Sequence, residues 1–133
     1  IRALAADPAI EVTGTVPEVQ PHVHECRVIA VPLLAGGGTR IKIFEAMAMG
    51  VPVISTTIGA EGLPVRHGEE IEIADDAESF AQGTLKLLAD AAAAARMAAN
   101  ARELMEQRFS WRFAASKFVE LCQQAMDHQQ RPS

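Results

Sequence analysis

Little in this sequence points toward nucleic acid, a membrane or a metal. Its 133 residues carry 12 Lys and Arg against 17 Asp and Glu, a net charge of −5. That acidic balance argues against a nucleic-acid-binding surface, which needs a basic face to meet phosphates. Two cysteines, Cys26 and Cys122, are too few for a disulfide framework and read as reduced, buried thiols. No run of 18 apolar residues occurs, so no transmembrane helix is expected. The first residues lack the basic-then-apolar pattern of a secretion signal. His22, His24 and Cys26 do not converge on one helix face and have no second ligand cluster, so no metal site is assigned. No repeat, low-complexity linker or domain boundary interrupts the chain. What remains is 49% hydrophobic, enough for one compact α/β domain with a real core. The chain reads as soluble and cytoplasmic.

The most informative stretch runs from Val28 to Ser55. Val28 to Leu33 is a continuous apolar run, the pattern of a strand covered on both faces in a parallel sheet. Gly36, Gly37 and Gly38 then let the backbone turn and approach a ligand without Cβ interference. Thr39 is a fair N-cap for a helix that ends at Gly50, a left-handed C′ residue, with Pro52 stopping continuation. Strand, Gly-rich turn, helix and strand make one half of a nucleotide-binding unit, whose turn lies where open sheets bind ligands. At about 100° per residue, Ile41, Ile43, Phe44, Met47 and Ala48 cover most of the helix and predict burial nearly all round. Glu45 falls between Ile41 and Met49 on that surface. A carboxylate there needs a partner or a ligand: either Lys42, three residues earlier, or the hydroxyls of a bound molecule.

The run Thr39-Arg40-Ile41-Lys42-Ile43-Phe44-Glu45-Ala46-Met47-Ala48-Met49-Gly50-Val51-Pro52-Val53-Ile54-Ser55-Thr56 resembles the nucleotide-sugar signature of retaining glycosyltransferases with the GT-B fold. That family reads E-x7-E followed by A-M-A-x-G-x-P-V-I. Its second glutamate matches Glu45 and implies a contact to ribose hydroxyls. Its first glutamate falls at Gly37, so it is missing here, and its Phe-Gly pair falls at Thr39-Arg40. The resemblance implies donor contacts from Gly37, Gly38, Thr39, Arg40 and Glu45. Thr15 and Val16 are implied as base neighbours, and Glu61 as a cleft-loop residue. It covers about Ile10 to Met126 and leaves the catalytic residues, the diphosphate-binding Arg and Lys, and the acceptor site elsewhere. The chain then reads as part of a C-terminal donor-binding domain, a fragment inactive by itself. Its partners are a nucleoside diphosphate sugar as donor substrate, with no cofactor, and the N-terminal domain of the same protein. The parent enzyme could sit at the inner face of a membrane. A nucleotide-sugar epimerase of the same fold and a non-catalytic, degenerate nucleotide-binding module are the alternatives. A flavodoxin-like domain fits poorly, because no acidic pocket or hydroxyl-rich phosphate loop is visible.

The fold expected is a Rossmann-like parallel sheet of about four strands, near residues 10–15, 28–33, 51–55 and 70–74, with helices on both faces. Ile10 to Gly14 alternates and is β-rich. Ile1 to Ala6 reads as a helix tail, and Pro17 to Glu25 as a short helix bent at Pro21. Thr56 to Leu63 is either a cleft loop or a short helix. His67 is a solvated loop residue. Asp75 or Asp76 caps a helix bearing Phe80, Leu85 and Leu88, with Gly83 a mild weak point. Ala91 to Phe109 is strongly helix-forming. Ser110 caps a terminal helix over 111–128 in which Trp111, Ala114, Phe118, Leu121, Cys122 and Ala125 recur at helical spacing. That helix, or an exposed sheet edge, would offer a surface for homodimerisation, and loss of a neighbouring domain would expose Trp111.

Overall fold

The computed structural model describes residues 2–36, 38 and 40–129. Among them the elements run in order as a short 3-10 helix (Arg2–Ala6), α1 (Gln20–Glu25), β1 (Ile29–Val31), α2 (Ile41–Ala48), β2 (Val53–Ser55), α3 (Thr57–Ala60), β3 (Glu72–Ile73), α4 (Ala77–Ala89), α5 (Ala91–Arg108) and α6 (Trp111–Gln129). The three strands are parallel and ordered β1-β2-β3, with Ile29 opposite Val53 and Ile54 opposite Glu72. The α/β class and the parallel sheet flanked by helices are as the sequence predicts.

Alternation on the central strand decides which helix goes where. Val53 packs with Ile43, Ala46 and Met47 of α2, while Ile54 points the other way, toward Leu87 of α4. Helix α5 serves both sides: Ala94 and Met97 join the Ile54 cluster, Ala101 and Met105 the Val53 cluster. The α2 terminus is the predicted one. Gly50 has φ +72, its N–H donates to Met47 O and that of Val51 to Ala46 O, which closes the last turn in a left-handed cap.

Several expectations change. Residues 10–15 form no strand; they are exposed and lack a ladder partner among the described residues, and β-propensity alone does not make a strand. Pro21 neither bends nor breaks α1, because the helix starts at Gln20 and the proline falls in its first turn, where no N–H is needed. On α4 the inward stripe is Phe80, Gly83 and Leu87, while Leu85 faces solvent. Gly83 is no weak point but a contact: a Cβ there would lie 2.7 Å from Ile54 Cδ1. Cys26 and Cys122 are free, as expected, but exposed rather than buried. His67 is exposed, and its Nδ1 accepts the Ile73 N–H at 3.0 Å, so it closes the turn into β3.

Helix α6 is capped by Ser110, whose Oγ accepts the Phe113 N–H at 3.2 Å. Its apolar residues are not core: Trp111 is 91% exposed, and Phe118, Val119 and Leu121 are also solvent-facing. The body holds the start of this helix through Phe44 and Phe109, whose rings meet edge to face at 4.7 Å.

Candidate functional site

The carboxyl ends of β1 and β2 open onto two loops. The first carries Gly36 and Gly38, at φ +147 and +100, backbone that side-chain-bearing residues rarely adopt. Gly37 and Thr39 lie outside the described residues. The N-cap position of α2 is Arg40, with no side-chain cap bond. The second loop folds immediately into α3, so the segment after β2 is a short helix rather than an open loop.

Three hydroxyls tie the strand ends to one another and to α3. Thr56 Oγ1 accepts the Gly59 N–H at 3.0 Å and donates to Leu33 O, linking the two loops. Ser55, fully buried, donates from Oγ to Val31 O at 3.2 Å. Thr57 donates through both N–H and Oγ1 to the Asp75 carboxylate, each at 2.7 Å, which brings the β3 exit into the same cluster. Those two bonds, the hydroxyl's first, hold the Asp75 carboxyl below its ordinary range.

Arg40 connects the two loops directly. Its side chain is 8% exposed. It donates from Nη1 to Gly38 O at 3.2 Å and from Nη2 to Gly36 O at 3.3 Å and Ile58 O at 2.7 Å. Glu61, at the C-cap of α3, lies 3.5 Å from Nη2, and its own side chain is 76% exposed. The structure therefore brings Gly38, Arg40 and Glu61 together, with Arg40 turned into the protein.

Glu45 departs from expectation. Helix α2 is not buried all round: Ile43, Ala46 and Met47 face the core, whereas Ile41, Glu45 and Ala48 form an exposed stripe. Positions i, i+4 and i+7 share a face, and Phe44 and Met49 are only half-buried, so the apolar content of the sequence exceeds what the core takes. The Glu45 side chain has no hydrogen bond or ion pair with any described residue, and Lys42 is not its partner. It borders a small cleft with Val19, Gln20, Ala48 and Met49, and a larger apolar one of about 550 Å³ with Ile41, Phe44, Met105 and Phe109. Thr15 is exposed and Val16 half-buried, just before the Val19–Gln20 wall of the small cleft.

Sequence reasoning missed the Ile58 carbonyl, Ser55, Thr56 and Asp75 as parts of this cluster. Only Thr56 carried a signal, a hydroxyl residue directly before a helix; the others depend on loops distant in the chain. Among the described residues no group of three metal-ligating side chains occurs, and no helix is long and apolar enough to cross a membrane.

The model of the family described as glycosyl transferases group 1 matches residues 1–90. A 44.6 kDa protein in the cps region of Klebsiella pneumoniae is 32% identical over 78 residues, which is 59% of this chain and 20% of that protein. Among solved structures, the sucrose-phosphate synthase of Thermosynechococcus elongatus superposes with a TM-score of 0.68 at 27% identity, over 83% of this chain and 28% of that one. The chain thus spans about a fifth to a quarter of the length of these relatives. With the strand-end loops, the glycine turn and α2 all inside the matched region, this chain belongs to the glycosyl transferases group 1 family.

Proposed function

We propose that this chain is the donor-binding part of a C-terminal domain in a retaining glycosyltransferase. The donor is a nucleoside diphosphate sugar, and no further cofactor takes part. The observation that carries the reading is Glu45: an exposed carboxylate without a partner among the described residues, on a helix that follows the carboxyl end of β1. A carboxylate so placed is free to accept hydrogen bonds from the two hydroxyls of a ribose. The resemblance assigns Gly37, Gly38, Thr39 and Arg40 to the phosphate or sugar end of the donor. Thr15 and Val16 lie on the side where the base would rest, and Glu61 stands at the rim. Charge developing on the leaving diphosphate needs preorganised amides and cations, the usual source of stabilisation at such sites. No general base is assigned within this chain. The acceptor site and the opposing wall belong to an N-terminal domain of the same protein, and by itself this part transfers no sugar. The open edge of β1 and the apolar face of α6 are the surfaces we assign to that domain or to a second copy. The reading places the enzyme in the cytoplasm, acting at or near the inner face of a membrane.

Calorimetric titration of the full-length protein with uridine and guanosine diphosphates tests this reading. Losing charge-assisted bonds to the ribose should weaken binding roughly 10- to 100-fold in Glu45→Ala. Tight binding that survives the substitution would remove Glu45 from the site. A second reading, a degenerate module that binds a nucleotide without transferring sugar, is favoured by one observation: glycine at position 37, where the E-x7-E signature that this run resembles has its first carboxylate. Sugar release from a nucleoside diphosphate sugar by the full-length protein would exclude it.

A further inference from the structure

We propose that Arg40 is a positioning residue that clamps the loop after β1 to the segment after β2, and serves the anion site from behind rather than by touching the ligand. This rests on the donor-site reading above. Two of its acceptors, the Gly36 and Gly38 carbonyls, belong to the glycine loop; the third, the Ile58 carbonyl, belongs to α3. Its Nη2 already faces three protein oxygens, Gly36 O, Ile58 O and Glu61 Oε2, with two hydrogens to give. The acidic partner cannot be what holds it, since Glu61 is mostly in water and 3.5 Å away. Nε is buried and has no partner among the described residues, a cost that the bonds of the other two nitrogens offset. A phosphate taking Nη2 would have to draw its two hydrogens away from the Gly36 and Ile58 carbonyls. The task also requires arginine's shape. A planar fork spans two loops, whereas a lysine ammonium is a point charge on a flexible stem. What a ligand gains is two strand-end loops already ordered relative to one another, so less entropy is lost on binding.

Arg40→Lys and Arg40→Ala in the full-length protein, titrated with uridine and guanosine diphosphates, separate clamp from contact. A clamp predicts that both variants weaken binding by the same factor, on the order of 10- to 100-fold. The salt dependence of what remains should stay that of the parent protein. A lysine variant within about threefold of the parent while the alanine variant falls would mark a direct contact to phosphate, since lysine serves there as a point charge, and would overturn the proposal. So would unchanged affinity in both. If the parent protein binds neither diphosphate, the donor reading fails while the clamp is still read without ligand, by amide hydrogen exchange. Faster exchange in Arg40→Lys over both 34–38 and 57–61 supports the clamp; acceleration of one segment or neither overturns it. Arg40→Gln, read in the same way, stands in where the lysine variant does not fold.

Discussion

Replacing Gly59 by alanine adds one methyl group where the strand ends and α3 meet. The new Cβ would overlap Ser55 Oγ and come within 3.2 Å of Thr56 Oγ1 and 3.3 Å of Val31 O. None of these neighbours yields easily. Ser55 is fully buried and bonded to Val31 O, and Thr56 caps α3 while bonded to Leu33 O. Overpacking a tight site costs about 1–3 kcal/mol. Turning Ser55 away forfeits a hydrogen bond of about 1 kcal/mol. Against this stands the helix preference of alanine over glycine, at most about 1 kcal/mol and less in a four-residue helix. The balance is a loss of roughly 2–3 kcal/mol, a fall in melting temperature of roughly 6–12 °C for a chain this size. Thermal or urea unfolding followed by circular dichroism measures it. Removing the obstructing hydroxyl supplies the control. Ser55→Ala alone should cost about 1 kcal/mol, and the double variant should be more stable than Gly59→Ala by about 1 kcal/mol or more. Simple additivity of the two changes, or a Gly59→Ala protein that melts with its parent, would refute the reasoning.

Acid should destabilise the fold through three carboxylates. The Arg66 guanidinium holds Glu70 below its ordinary range, Thr57 does so for Asp75, and the Ser79 hydroxyl and N–H do so for Asp76. A lowered native pKa contributes stability that is complete above the unfolded value and disappears as pH falls through the native one. The melting temperature should therefore hold steady above about pH 5 and decline below it, with a shallower decline in Glu70→Gln. Gly50→Ala forces a side-chain-bearing residue to φ +72 with open space around it, nearest Arg102 Cδ at 3.9 Å, and should cost about 1–2 kcal/mol of stability by urea titration. Trp111 is the single tryptophan, so the fluorescence of the chain reports α6 directly. Emission like that of tryptophan in water, fully quenched by acrylamide, is expected for this chain; blue-shifted, protected emission would mean that the helix face is covered.

Legibility in the sequence followed the range of the interaction. The cap of α2 depends on Gly50 and its immediate neighbours, and could be read from Gly50 and Pro52 alone. The cap of α4 was legible to within one residue: of Asp75 and Asp76 it is Asp76 that accepts the Glu78 and Ser79 N–H groups, while Asp90, which caps α5 through the Ala93 N–H, was not picked out. The strand expected at residues 10–15 failed because a strand needs a neighbour, and alternation says nothing of whether one exists. The burial expected of Glu45 failed for a related reason: helical spacing locates a face but does not say what lies opposite it. Gly59 and Gly83 have roles no local pattern reveals, since both exist to let α3 and α4 approach particular atoms of the sheet. Arg40 was picked out for its charge, yet its geometry depends on a carbonyl 18 residues away.

Helix α5 has one more implication. Eighteen residues make a rod about 27 Å long, and its two halves are pinned to opposite sides of a sheet whose strands are only two or three residues each. So slight a sheet cannot hold its coverings in alignment, and the rod acts as the common axle. Neither side can melt while the other persists, and damage at Met97 should be felt at Met105.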